Sequence, residues 1–300
     1  MERESLLTVL LILFGGLAVQ PFAMLSLRTT PGLDGRSAER LAWLRLWLPV
    51  MPALMVAAWL CGWALREPDP VHDHLDRWVL IGACVPFAIV VWRAALRAVW
   101  ALTREPFDAG TGVCTVGLLR PQILFSPFLA MTLDDDMIDA AWRHEQAHVQ
   151  HRDPLRIWLA QLATDLQWPW PGARQRLDTW LEALELARDD EARRHGASGA
   201  ALAAALLSTL RRASLGAEAQ ARRNRVHLSA HARLTGNPQA LQRRVALLLA
   251  PLADAPAASP RALTRFLQIE ARFICMLMAA GILGALYGER ILHPLLAWTF

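Results

Sequence analysis

Two histidines four residues apart enclose a glutamate in the stretch His144-Glu145-Gln146-Ala147-His148. On an α-helix, residues four apart lie on one face about one turn apart, so both imidazoles can bind one zinc ion. Glu145 follows the first histidine and can take a proton from a metal-bound water, whose pKa zinc lowers from near 16 to about 7. The pattern therefore predicts a zinc site that hydrolyses amide bonds.

A catalytic zinc needs a third protein ligand, which is often a carboxylate from a second helix. The strongly helical segment 181–192 offers Glu182, Glu185, Asp189 and Glu191. Glu185 and Asp189 share a face, so one could bind the metal while the other orients a histidine. Spacing alone does not choose among the four acids, and a solvated acidic face paired with arginines is the commoner use of such a helix.

Other histidine groups are weaker candidates for a metal site. His227 and His231 have the same spacing but lack the glutamate, which is typical of a polar loop or helix face. His72, Asp73 and His74 are adjacent in a short acidic loop, where such residues are usually solvated.

The composition predicts a membrane protein. Hydrophobic residues make up 54% of the 300 residues and the mean hydropathy is +0.26, which is too apolar for two soluble domains. All 31 basic residues are arginine, and no aromatic-basic recognition motif is present, so the net charge of +4 does not indicate nucleic-acid binding. The four cysteines are scattered and predict neither a disulfide framework nor a metal site.

Four apolar stretches are expected to cross the bilayer as helices. They lie at 6–27, 46–65, 78–102 and 273–292, and a turn-rich loop is expected at 28–40. Arginines flank the first loop and both ends of the segment between the third and fourth stretches. By the positive-inside rule that segment, which holds the zinc motif, faces the cytoplasm.

The fold class expected is therefore mainly α, with four transmembrane helices and a cytoplasmic zinc metalloprotease domain that contains a small β-hairpin. The boundaries expected are 1–102 for three membrane helices, 103–271 for the protease domain, and 272–300 for the fourth membrane helix with a short outer tail.

Within the protease domain, Gly, Pro and β-prone residues at 112–127 predict a hairpin, whose edge could bind an extended substrate or be purely structural. Thr132 or Asp134 can cap the metal-binding helix. Asp153-Pro154 has the N-cap signature of a new helix that ends near Gln167. No chemistry is legible in 217–260.

Three passages taken together resemble one family. They are Val116-Gly117-Leu118-Leu119-Arg120-Pro121, His144-Glu145-x-x-His148-x-x-x-Arg152-Asp153-Pro154-Leu155 and Glu185-Leu186-Ala187-x-Asp189. These passages are similar to those of the BlaR/MecR-type integral-membrane zinc metallopeptidases, the beta-lactam-sensing regulators and their relatives.

The resemblance implies a gluzincin-like site with one zinc ion per chain. Its ligands would be His144, His148 and Glu185, with Glu145 as general base and Asp189 as the acid that orients a histidine. The expected activity is regulated proteolysis at the inner membrane of a bacterium, with a protein or peptide substrate that could be a DNA-binding repressor. Membrane lipid is the other expected partner, and the sequence does not define an oligomeric state.

One departure from the family limits the expectation. Sensor members carry a large penicillin-binding domain after the last span, whereas this sequence stops at Phe300, so direct covalent sensing of beta-lactams is not expected. Arg188 stands where relatives often have a small residue and should not touch the ligands.

Two alternatives to this function are a membrane peptidase of the prenyl-protease type and a non-catalytic signalling or scaffold protein. His195 and nearby arginines are candidates for stabilising the oxyanion.

Overall fold

The computed structural model describes residues 35–51, 113–125, 131–167, 171–220 and 238–251, with isolated helical positions between 85 and 99 and between 272 and 279. Helices dominate these residues, so the prediction of a mainly helical chain is confirmed. The helices are α1 (Gly35–Trp47), α2 (Asp135–Gln150), α3 (Asp153–Asp165), α4 (Pro171–Arg194), α5 (Gly199–Gln220) and α6 (Pro238–Leu249), and a 3-10 turn at Leu48–Val50 follows α1.

The predicted hairpin is present at the expected place. Strands β1 (Val113–Val116) and β2 (Gln122–Phe125) are antiparallel, with Val113 opposite Phe125 and Val116 opposite Gln122. Gly117 has a φ of 96° directly after β1, a left-handed conformation that glycine adopts without steric cost. The hairpin packs its apolar face on α2 and α5 through a cluster that includes Leu133 and Ala205.

Helix α2 begins at the predicted position. The Asp134 side chain accepts a hydrogen bond from the Met137 backbone N–H at 2.8 Å, so Asp134 is the cap rather than Thr132. Asp135 and Asp136 in the first turn also suit the positive end of the helix dipole. These interactions fix the start of the helix that carries the two histidines.

A tight reversal joins α2 to α3, and it corrects one prediction. Arg152 has a left-handed backbone with a φ of 52°, and it occupies the N-cap position without a capping side-chain bond. Asp153 is therefore the first helical residue rather than the cap, with Pro154 next to it. Because the reversal turns Asp153 inward, its carboxylate is fully buried.

The core is centred on α4. Trp180 is completely buried against α1 and α3, together with Leu177, Leu181 and Leu184 of its own helix. The Trp180 indole N–H donates to Glu39 Oε1 of α1 at 3.0 Å, so the buried ring has a partner for its polar atom. This cluster holds α4 in place beneath the histidines of α2.

Small residues let α5 and α6 approach α2 and α4 closely. Ala140, Ala192 and Ala203 are almost fully buried in a cluster that also contains Leu248. A Cβ atom at Gly199 would lie 2.2 Å from the Leu248 carbonyl oxygen, so only glycine fits where α5 begins beside α6. The close contact brings the side chains of α6 within reach of α4.

The prediction of a four-span protein in a bacterial membrane is wrong on this structure. Among the residues that the structure describes, no helix combines the length and the apolar character needed to cross a bilayer. The residues at 35–51 show why hydropathy misled: α1 begins inside the predicted loop, and Leu46 and Val50, at the start of the second predicted span, are buried in the protein core. Hydropathy does not distinguish such a core position from a lipid-facing one.

The remaining parts of the four predicted spans, and the stretch Trp168-Pro169-Trp170, lie outside the described residues apart from isolated positions. The domain boundaries stay predictions.

Candidate metal centre

His144 and His148 lie one turn apart on α2, and both are buried. His144 Nδ1 lies 2.9 Å from Asp189 Oδ1 of α4, and His148 Nδ1 lies 2.8 Å from Asp153 Oδ2 of α3. Because a carboxylate holds each ring by its Nδ1 atom, the two Nε2 atoms face each other at 3.1 Å. Carboxylates in this position fix the tautomer and orientation of metal-binding histidines.

Glu185 of α4 completes the group. Its buried carboxylate places Oε2 at 3.5 Å from His144 Nε2 and Oε1 at 3.8 Å from His148 Nε2. Ligand bonds of about 2.05 Å in a tetrahedron put neighbouring ligand atoms about 3.3 Å apart. The Nε2–Nε2 separation of 3.1 Å is close to this value, and each imidazole has one oxygen of Glu185 at 3.5 or 3.8 Å. The three side chains could therefore hold one metal ion.

The structure distinguishes the four acids that spacing left open. Glu182 lies near the surface and accepts from Arg243 at 3.3 Å. Glu191 is engaged by His151, whose Nε2 lies 2.9 Å from Glu191 Oε2. Asp189 bonds the Nδ1 atom of His144, and Glu185 is the one of the four acids whose carboxylate oxygens lie within 4 Å of both Nε2 atoms.

The charges around His144 favour a cation. Burial disfavours the charged imidazole, but hydrogen bonds to Asp189 and Glu185 outweigh burial and raise the pKa of His144 to about 10. Burial likewise raises the pKa of Asp189, but the positive charge of Arg244 and the bond to His144 hold the net value below the usual range. A metal that binds His144 must displace the proton of the charged imidazole, so metal binding at this site releases a proton.

Asp153 has a role at the site that the sequence did not reveal. Besides His148, it accepts hydrogen bonds from Arg188 Nη2 at 3.0 Å and Arg156 Nη1 at 3.2 Å. Burial opposes ionisation, yet His148 and Arg188 hold the pKa of Asp153 well below its usual range. Arg188 therefore anchors the carboxylate that is bonded to His148. In the sequence, a helix start alone accounts for an aspartate before Pro154. The pattern therefore gave no reason to place Asp153 at the site.

The hairpin positions Glu145. Thr115 Oγ1 of β1 donates to Glu145 Oε2 at 2.7 Å, and the carboxylate is buried. Glu145 therefore has a fixed orientation beside the two histidines, although it is not part of the ligand group. A single threonine in a strand carries no sequence signal for such a role.

Arg244 of α6 is a second residue that the sequence did not reveal. Its Nε and Nη2 atoms bond both oxygens of Asp189 at 2.6 and 2.8 Å, and its Nη1 lies 2.9 Å from Glu185 Oε2. The guanidinium is almost fully buried. Arg244 falls in the region where no chemistry was legible, and an arginine on an amphipathic helix looks like a solvated residue in sequence.

His195 is not brought to the site. It is exposed at the end of α4, its Nδ1 bonds the Glu191 carbonyl oxygen at 2.8 Å, and its own carbonyl accepts from Arg143. The histidine groups at 72–74 and 227–231 lie outside the described residues.

Comparison with known proteins gives no family assignment. No protein family, no curated protein and no solved structure matches the chain. The resemblance in the three sequence passages stays a prediction.

Proposed function

We propose that this chain is a zinc-dependent endopeptidase that hydrolyses peptide bonds of a protein or peptide substrate. The observation that carries the proposal is the meeting of His144, His148 and Glu185 at separations suited to one ion, with Glu145 buried next to the first ligand. Two imidazoles and one carboxylate are a ligand set typical of catalytic zinc, because three protein ligands leave a fourth position open.

Each residue has a distinct task in this proposal. Bound zinc would supply the Lewis acidity that activates water and polarises the peptide carbonyl group. Glu145 takes the proton from the attacking water and passes it to the leaving amine. The Thr115 hydroxyl bonds Oε2, so the other oxygen of Glu145 would accept that proton. Asp153 and Asp189 keep the two imidazoles in the tautomer that presents Nε2.

The hairpin supports a peptide as the substrate. The sheet in the described part of the chain has two strands, and β1 reaches Glu145 through Thr115. An extended peptide can add to a strand edge by main-chain hydrogen bonds, which would hold a scissile bond close to the general base. This mode of binding recognises the backbone within a chain, as an endopeptidase requires.

The sequence resemblance suggests a class of protein substrate. In the BlaR/MecR-type sensors the substrate is a DNA-binding repressor, and we extend the proposal to such a protein.

The test compares the native protein with Glu145→Gln on a peptide library prepared from a bacterial proteome, with new termini identified by mass spectrometry. We expect the native protein to bind about one zinc per chain and to cleave the library. Glu145→Gln should bind the same zinc but cleave about 10²- to 10⁴-fold more slowly, the usual contribution of a general base. Glu182→Gln is the matched control, because Glu182 lies on α4 but bonds a surface arginine.

Three results would overturn the proposal. Equal cleavage by the native and Glu145→Gln proteins would show that Glu145 is not the general base. If the native protein binds no divalent metal after reconstitution, the three side chains do not form a metal centre. Zinc binding without cleavage of the library or of a repressor would favour a non-catalytic protein.

A further inference from the structure

We propose that Arg244 is a positioning residue of the metal centre, and that through it the docking of α6 is coupled to metal binding. This inference rests on the proposed metal-dependent function. It assigns part of the site to a helix that begins more than fifty residues after the third ligand in sequence.

Arg244 holds two acids that act on the metal in different ways. Glu185 is the third ligand, and Asp189 orients the imidazole of His144. The guanidinium binds Asp189 with two parallel hydrogen bonds at 2.6 and 2.8 Å and reaches Glu185 Oε2 at 2.9 Å. One side chain therefore contacts Glu185 directly and acts on His144 through Asp189, and its Nη2 atom also lies 3.5 Å from His144 Nε2.

Electrostatics explain why a cation is needed there. Glu185 and Asp189 are one turn apart on the same face of α4, and both are almost fully buried. Two like charges at this spacing repel each other, and burial strengthens the repulsion. Arginine suits the position better than lysine because its planar fork satisfies several carboxylate oxygens at fixed angles.

The same contacts tie α6 to the metal centre. Arg244 and Leu248 lie one turn apart on the buried side of α6, and the Leu248 backbone packs against Gly199. If docked α6 holds the ligands in the geometry that binds metal, then bound metal must favour docked α6 by the same factor.

The test measures zinc affinity by competition with a chelating dye for the native protein, Arg244→Gln, Arg244→Lys and Arg243→Gln. We expect about 10- to 100-fold weaker binding for Arg244→Gln, the usual loss when a group that orients a ligand is removed. Arg244→Lys should fall between the two because it keeps the charge without the fork. Arg243→Gln is the matched control, because the neighbouring Arg243 side chain is 67% exposed and bonds Glu182.

Two further measurements separate positioning from general stability. With cobalt(II) in place of zinc, Arg244→Gln should shift the visible absorption bands that report ligand geometry, whereas Arg243→Gln should not. In the native protein, zinc should slow amide hydrogen exchange in 238–249 at least several-fold, and this experiment needs no variant to fold.

The outcomes distinguish this inference from the proposed function. If the native protein binds no divalent metal, the proposed function itself is overturned. If the native protein binds zinc and Arg244→Gln binds it equally well with the same cobalt spectrum, the inference on Arg244 is wrong and the function stands. Exchange in 238–249 that is unchanged or faster with zinc would equally refute the coupling.

Discussion

Replacing Asp153 with asparagine should be one of the most damaging isosteric changes in this protein. The Asp153 carboxylate is fully buried and bonds both His148 and Arg188, and Arg188 is itself 2% exposed. Asparagine keeps the shape but loses the charge and one acceptor oxygen. The Arg188 guanidinium is then left buried, with Glu191 Oε2 at 3.5 Å as its remaining carboxylate contact.

The expected size follows from the burial of this pair. Breaking a buried ion pair from one side costs about 3–5 kcal/mol, because the remaining charge loses its partner. For a domain of roughly 150–250 residues, each kcal/mol shifts Tm by about 2–4 °C, so the metal-free variant should melt about 6–20 °C lower. Zinc affinity should also fall about 10- to 100-fold, because His148 loses the carboxylate that orients it.

Thermal and urea unfolding of the metal-free proteins provide the assay, with Asp139→Asn as the control. Asp139 forms a 2.6 Å ion pair with Arg143, but on the surface, where such helix pairs contribute about 0.3–0.5 kcal/mol. The pKa of Asp153 is held below its usual 3.8, so its contribution is fully present well above that pH and fades as the pH falls towards the lower folded-state value. An Asp153→Asn protein no less stable than Asp139→Asn at pH 7 would refute the reasoning.

Two further predictions concern the hairpin. Thr115→Val removes the hydroxyl that orients Glu145, so peptide cleavage should fall about tenfold while zinc affinity stays unchanged. Thr115→Ser keeps the hydroxyl and should retain most of the activity. Equal kcat values for the native and Thr115→Val proteins in steady-state kinetics would contradict this role. Burial and then the charge of Glu145 raise the pKa of Cys114 from 9.0 to about 11, so at pH 8 iodoacetamide should alkylate Cys114 about 100-fold more slowly in the folded than in the urea-unfolded protein. Equal rates by mass spectrometry would show that the folded state does not suppress the thiolate.

Local spacing predicted the part of the site that lies on one helix. His144, Glu145 and His148 are positioned by helical periodicity alone, so their relation needs no tertiary information. Glu185 could not be placed in this way. Whether its side chain faces α2 depends on how α4 is oriented, and the packing of Trp180 and its neighbours sets that orientation. Spacing left four acids open, and only the family resemblance singled out Glu185.

The residues that hold the site side chains in place could not be predicted from the sequence. Thr115 and Arg244 act across long separations in sequence, on elements whose own patterns are complete without them. Asp153 is near His148 in sequence, but its position beside a proline had a sufficient local explanation.

Hydropathy gave the largest error in the fold. Leu46 and Val50 contribute to an apolar run that looks like the start of a membrane helix, yet they fill the space between α1, α3 and α4. The buried Glu39 and Arg45 of α1 also show that charge on a helix does not exclude it from the core when partners are present.

Most residues of the candidate metal centre lie in two short segments of the chain. The first, from His144 to Asp153, holds both imidazoles, Glu145 and the carboxylate bonded to His148. The second, from Glu185 to Asp189, holds Glu185, Arg188 and the carboxylate bonded to His144. A chain can therefore diverge elsewhere and still keep the site as a two-part signature: His-Glu-x-x-His-x-x-x-x-Asp, then Glu-x-x-x-Asp further along. A sequence search with that two-part signature looks for the site itself and does not require similarity over the whole chain.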